Sequence, residues 1–177
     1  PADMLRSNTL GVCIDDAKHI WERGIQKVNS GDNEAALLDF KRASLLDPEN
    51  HFILNSLGQA LSDSGKYQEA EQILSKALSK DPNDHIIVRN RGIVRFHLSN
   101  YKEAVTDLSF AIKMKPENIL QYIYRAESYY HLDDYELALS DLDIAIELNP
   151  RAAYALFLRG AVRDSMDEWA IAIQEYS

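Results

Sequence analysis

The sequence has one cysteine, Cys13, so no disulfide can form within the chain, and a reducing, cytoplasmic setting is the default expectation. It has no run approaching the ~20 apolar residues that a membrane-spanning helix needs, so membrane insertion is not expected. The TLGVC stretch around Cys13 fails as a lipid-attachment signal. Val12 holds the small-residue position, and PADMLRSNT supplies no apolar region before it. Basic residues are outnumbered, 19 Lys and Arg against 28 Asp and Glu, and the net charge of −9 argues against binding nucleic acid or anionic lipid through phosphates. A chain of 177 residues, 46% hydrophobic and 27% charged, is long enough and apolar enough for a folded domain with a real core. It opens on Pro1 rather than Met, which reads as a fragment or a processed form.

Proline is scarce, five in all, but four of the five fall in a pattern. Pro48, Pro82, Pro116 and Pro150 follow one another at intervals of 34 residues, closing ALLDFKRASLLDP, AEQILSKALSKDP, AVTDLSFAIKMKP and ALSDLDIAIELNP. With each proline at repeat position 32, the repeats run over 17–50, 51–84, 85–118 and 119–152, with an incomplete fifth at 153–177. Residues 1–16 form an N-terminal extension expected to be partly helical or disordered. Position 8 is small in every repeat (Gly24, Gly58, Gly92, Ala126, Gly160), and position 20 is always alanine. Position 17 holds Asn33, then Tyr67, Tyr101, Tyr135 and Trp169, while position 24 is large and apolar from Phe40 to Tyr176.

Each unit therefore reads as two helices, over about positions 1–14 and from there to about position 30. The first break is marked by Ser30-Gly31, Ser64-Gly65 or polar pairs such as Asp133-Asp134, and proline stops the second helix. Asn50, Asp84 and Asn118 stand where they can cap the helix that follows. Neither helix can bury its apolar side alone, so the units must stack.

The pattern resembles the tetratricopeptide repeat (TPR) family, whose period is 34 residues. The resemblance spans Ala17 to Ser177 and implies an all-α, right-handed superhelical array of antiparallel helix hairpins. Two departures stand out. Asn33 replaces an aromatic residue, and position 7, usually apolar, reads Arg23, Leu57, Arg91, Arg125 and Arg159. Position 23 answers with Asp39, Ile73, Asp107, Asp141 and Glu175, acidic wherever position 7 is arginine. An ion pair between the two helices of each charged repeat is the expectation.

In TPR proteins the first helices of the repeats line a concave, ligand-binding face. Carried over by position, the resemblance implies a peptide-binding groove drawn from Phe52 and Asn55 in the second repeat and from Ile86, Arg89, Ile93 and Phe96 in the third. The fourth repeat adds Leu120, Ile123 and Tyr130, and the fifth adds Tyr154 and Phe157. Arg89 could orient an acidic partner. The carboxylate clamp of one TPR subclass is absent, since its positions hold Trp21, Ile25, Ser56, Ile86 and Asn90. The asparagine ladder of another is absent too, with Ser56, Tyr124 and Leu158 at position 6 beside Asn90.

No nucleophile-and-base motif or phosphate loop occurs, so neither catalysis nor a cofactor is expected. His51 and His85 share position 1, and His97 and His131 share position 13. Equivalent residues on stacked helices lie ~8–10 Å apart, too far to share one zinc, so no metal site is expected. Acid pairs such as Asp15-Asp16 read as helix starts. The fifth repeat stops inside its second helix, leaving Ile171, Ile173 and Tyr176 without a following helix to cover them. The leading expectation is a non-enzymatic adaptor holding a peptide segment or helix of a partner protein in its groove. The competing one is structural self-association, as a homo-oligomer, through that C-terminal end or the groove.

Overall fold

The computed structural model describes the backbone of residues 2–166 and the side chains of residues 16–166. Among the described residues the structure is all-helical. The helices are α1 (Ala2–Asn29), α2 (Asn33–Leu46), α3 (His51–Asp63), α4 (Tyr67–Leu78), α5 (His85–His97), α6 (Tyr101–Met114), α7 (Ile119–Tyr130), α8 (Tyr135–Leu148) and α9 (Ala153–Ser165). They pair as hairpins, α1 with α2, α3 with α4 and α7 with α8. α3, α5, α7 and α9 start at the first residue of a repeat. The chain divides into two compact units between Ile87 and Val88.

α1 begins at Ala2, so the N-terminal extension continues the first helix of the first repeat. Asp15-Asp16 consequently lies inside α1 and does not start a helix. The helix runs unbroken through Gly11, and no proline follows Pro1 before Pro48.

The turns between repeats are built by the residues around each proline. After α2 ends, the Asp47 N–H donates to the Ala43 carbonyl at 2.9 Å, and Asn50 Nδ2 donates to Asp47 Oδ2 at 3.0 Å. Asn50 Oδ1 then accepts from the Phe52 and Ile53 amides, capping α3. Asp84 caps α5 and Asn118 caps α7 in the same manner. Such a cap satisfies amides the helix leaves unpaired, worth about 1 kcal/mol. Inside each hairpin the turn residue is left-handed, with φ of +83° at Gly31 and +75° at Gly65. Ser99 and Asp133, the equivalent residues in the second unit, hold φ of +61°.

Small residues set the helix spacing. The alanines of positions 20 and 27 (Ala36, Ala43, Ala70, Ala77, Ala104, Ala111, Ala138 and Ala145) have no exposed surface. A Cβ on Gly24 would come within 2.6 Å of the Phe40 ring, and one on Gly58 within 2.6 Å of Leu74. Positions 8 and 24 therefore press together across a hairpin, and an added methyl would force the large side chain aside. The second unit's core joins Tyr122, Ile123, Ala126, Leu142, Leu158 and Val162, and the first unit holds a smaller cluster of Ala17, Ala43 and Ile53. Each buried residue of Leu or Ile size contributes ~1.5–3 kcal/mol, so stability comes from this interleaving.

Candidate functional site

Arg23, Arg91 and Arg125, three of the position-7 arginines, lie within hydrogen-bonding reach of the position-23 acid of their own repeat. Arg23 grips Asp39 through Nε and Nη2, at 2.8 and 2.6 Å. Arg91 holds Asp107 at 2.8 and 2.9 Å, and Arg125 holds Asp141 at 2.7 and 2.6 Å. Two neighbours, Lys27 on Asp39 (2.7 Å) and Arg95 on Asp107 (2.9 Å), were not foreseen; both sit one turn beyond the position-7 arginine, at position 11. Arg23's hydrogen bonds hold the Asp39 carboxyl well below the ordinary carboxylate range, against burial that favours its neutral form. Arg159 Nη1 donates to Asp143 at 2.8 Å, while Glu175 lies outside the described residues. These groups occupy one another and tie helices together.

The residues assigned to a groove separate into two groups. In the first unit, Phe52 (58% exposed) and Ile86 (41% exposed) present their side chains to solvent, and Asn55 is half-buried. In the second, Leu120 and Tyr154 are each 50% exposed and Phe157 54%, with the Tyr154 and Phe157 rings stacked at 6.5 Å. Leu120 and Tyr154 stand on the rim of a cavity of about 320 Å³ that Phe96, His97, Ile123, Tyr124 and Glu127 complete. Ile123 is 7% exposed and belongs to the core, so it forms the cavity floor and offers little free surface. Phe96 and Ile93 are half-buried, and Phe96 packs edge-on against Tyr124 at 5.3 Å. The Tyr130 hydroxyl meets Ser165 Oγ at 3.2 Å, and the Arg89 guanidinium donates to Asn90 Oδ1. Ile171, Ile173 and Tyr176 fall outside the described residues.

Tyr124 was missing from the groove read off the sequence, whereas Glu127 stands at position 9, one of the positions that the TPR resemblance places on the ligand-binding face. Tyr124 sits at position 6, the place of the absent asparagine ladder. Glu127 supplies the cavity's carboxylate. Partial burial, with the hydrogen bond and charge of Glu127, pushes the Tyr154 phenol up to about 12, so its hydroxyl stays protonated and donates to that carboxylate. The site is thus an apolar trough with one anionic end. It suits an aliphatic or aromatic side chain followed by a cation or an N–H donor.

A further cavity in the first unit, about 360 Å³, is lined by Val28, Leu37 and Ala60 and rimmed by Asn33, Glu34, Asp63 and Ser64. Burial raises the Asp63 carboxyl above its ordinary pKa. No described helix is long and apolar enough to cross a membrane.

Two family models, both described as tetratricopeptide repeat, match residues 28–90 and 123–163. No curated protein matches the chain. Among solved structures, MamA 41-end from Desulfovibrio magneticus RS-1 is similar at a TM-score of 0.84 and 22% identity, covering 92% of each chain. A MamA RS-1 ArsTM double mutant is similar at 0.83 and 22%, covering 92% of this chain and 91% of that one. A repeat protein from Parabacteroides merdae ATCC 43184 gives 0.77 and 23%, covering 92% of this chain and 64% of its own. At these identities the likeness is one of fold.

Proposed function

The chain belongs to the tetratricopeptide repeat family and is a protein–protein interaction module, and from that premise we propose that its second unit holds a peptide segment of a partner protein in the trough bounded by Phe96, Leu120 and Tyr154. One observation carries the reading. Leu120 and Tyr154, which line a cavity with mostly aromatic and aliphatic walls, and Phe157, whose ring stacks on Tyr154, each leave about half their surface in water. Large exposed side chains around a concave, partly apolar pocket are the usual anatomy of an interaction hot spot. Glu127 and the net charge of −9 favour a segment that combines apolar anchors with a basic residue.

The test is a selection of displayed random peptides on the full chain, followed by affinity measurement of a selected peptide by fluorescence anisotropy. The variant Leu120→Glu/Phe157→Glu, checked by circular dichroism, should bind at least about thirtyfold more weakly, the equivalent of one hot spot of ~2 kcal/mol. Phe52→Glu, on the first unit, should leave that affinity unchanged. A double variant that is folded and binds as tightly as the parent would remove the trough from consideration. If no peptide is selected and the mass in solution rises with concentration, self-association is the better reading.

A further inference from the structure

His51 is the first residue of α3, and Asp81 and Asp84 flank the turn that joins α4 to α5. Pairing histidine with histidine along the repeat hides this group, because repeat stacking places position 1 of the second repeat beside positions 31 and 34 of the same repeat. The imidazole nitrogen and one oxygen from each carboxylate all lie within 4.8 Å of one another, and all three residues are half-buried. We propose that His51, Asp81 and Asp84 form a site for a divalent transition-metal ion of the zinc class, with water completing its coordination.

Three features make this more than a gathering of surface acids. The donor set is mixed, one imidazole and two carboxylates, which matches the borderline chemistry of Zn²⁺ and neutralises its two charges. The carboxylates are already oriented. Asp84 Oδ1 accepts from the Ile86 and Ile87 amides, at 2.8 and 3.2 Å, and Asp81 Oδ1 accepts from the Asn83 amide at 3.2 Å, so Oδ2 remains on each. The Phe52 ring lies 4.0 Å from that of His51. The two turns that carry the donors are also linked beside the site, since Lys80 pairs with Glu49 and that ammonium is therefore engaged.

Donors around a tetrahedral zinc at ordinary bond lengths sit about 3.4 Å apart, so capture needs only a small inward adjustment of side chains with free rotations. The equivalent trios elsewhere read Ala17, Asp47 and Asn50; His85, Lys115 and Asn118; and Ile119, Asn149 and Ala152. Only the second repeat spells three donors.

The full chain, stripped with chelator, is titrated with Co²⁺ while its visible d–d absorption is followed, and then with Zn²⁺ as competitor. One ion per chain is expected, displaced by Zn²⁺, with a rise in thermal midpoint on Zn²⁺ addition. His51→Ala and Asp81→Asn should each weaken binding by about tenfold or more and abolish that rise. Asp84→Asn keeps an oxygen for the α5 cap while removing a charged ligand, so it separates loss of metal from loss of fold. An absence of saturable binding would overturn the assignment. So would binding unchanged in His51→Ala, which would move the ion to another histidine or Cys13.

Discussion

The hairpin turn of the first repeat and that of the third share a backbone and differ in how the adjoining space is filled. Gly31 takes the left-handed conformation in one and Ser99 in the other, and each turn closes the same way: the Asp32 amide reaches the Lys27 carbonyl at 2.9 Å, the Asn100 amide the Arg95 carbonyl at 2.9 Å. Two residues past the left-handed one, the third repeat has Tyr101, stacked on His131 at 4.5 Å and 13°, with its hydroxyl donating to Ser99 Oγ at 3.3 Å. The fourth repeat repeats the device, with the Tyr135 hydroxyl on Asp133 Oδ1 at 2.8 Å. The first repeat has Asn33 there, and the 360 Å³ cavity opens beside it. The second repeat joins Gly65 to Tyr67, so glycine and the aromatic vary independently. Turn geometry and inter-repeat filling are thus separate tasks. The second unit accepts non-glycine residues in a conformation costing ~1–2 kcal/mol, offset in part by the tyrosine hydrogen bond.

The units also differ at positions 7 and 23, and that difference is the one whose disruption should matter most. The first unit contains the apolar solution, Leu57 with Ile73, while the second uses Arg125 with Asp141. Asp141 is only 3% exposed, and its partner also donates to Ser109 at 2.9 Å and lies 5.9 Å from the Tyr122 and Tyr129 ring centres. Asp141→Ala strands a largely buried guanidinium and should cost ~3–5 kcal/mol in chemical denaturation. Arg125→Leu/Asp141→Ile transplants the apolar solution and should come within ~1 kcal/mol of the parent. If the double variant is as damaged as the single one, the two solutions are not interchangeable and the pairing across repeats is coincidence.

How legible was all this? The period, the caps and the close approach of positions 8 and 24 are written in residue types that have few other uses. Proline, a capping Asn or Asp, and glycine facing Phe40 each leave a trace at fixed spacing. The groove is less legible because apolar residues on a first helix serve either the core or a ligand, and only coordinates separate Ile123, which is buried, from Leu120, which is half exposed. Tyr124 and the His51 cluster escaped for a related reason. Each depends on a neighbour more than a dozen residues away, and a single sequence records no such pairing.

A third difference lies at position 3, where the first unit buries Ile53 and Ile87 and the second buries Gln121. Gln121 has no exposed surface, and neither its amide nitrogen nor its oxygen has a hydrogen-bond partner. A buried, unsatisfied amide costs ~1–3 kcal/mol, so Gln121→Ile, which supplies the residue of the second and third repeats, should raise stability by about that amount. Denaturant midpoints at unchanged m-value would show it. A loss of stability would mean that the amide is satisfied in solution by water.

The smallest effect comes from closing the gap in the comparison itself. Asn33→Tyr supplies the missing ring, covering ~100 Å² of apolar surface worth ~2.5 kcal/mol against ~1 kcal/mol of ordering entropy, for a net gain of about 1.5 kcal/mol. The gain should depend on pH in a definite direction. Burial already raises the Asp63 carboxyl, so the charged form is penalised in the folded protein above its folded pKa, and the penalty disappears below the unfolded value. A ring placed over the cavity buries Asp63 further, which enlarges that penalty at neutral pH and leaves acid conditions untouched. Asn33→Tyr should therefore stabilise more at pH 4 than at pH 7, measured as the difference in denaturant midpoint from the parent. A gain independent of pH would place the new ring away from Asp63, and no gain at either pH would mean that the space beside Asn33 is not an aromatic seat left empty.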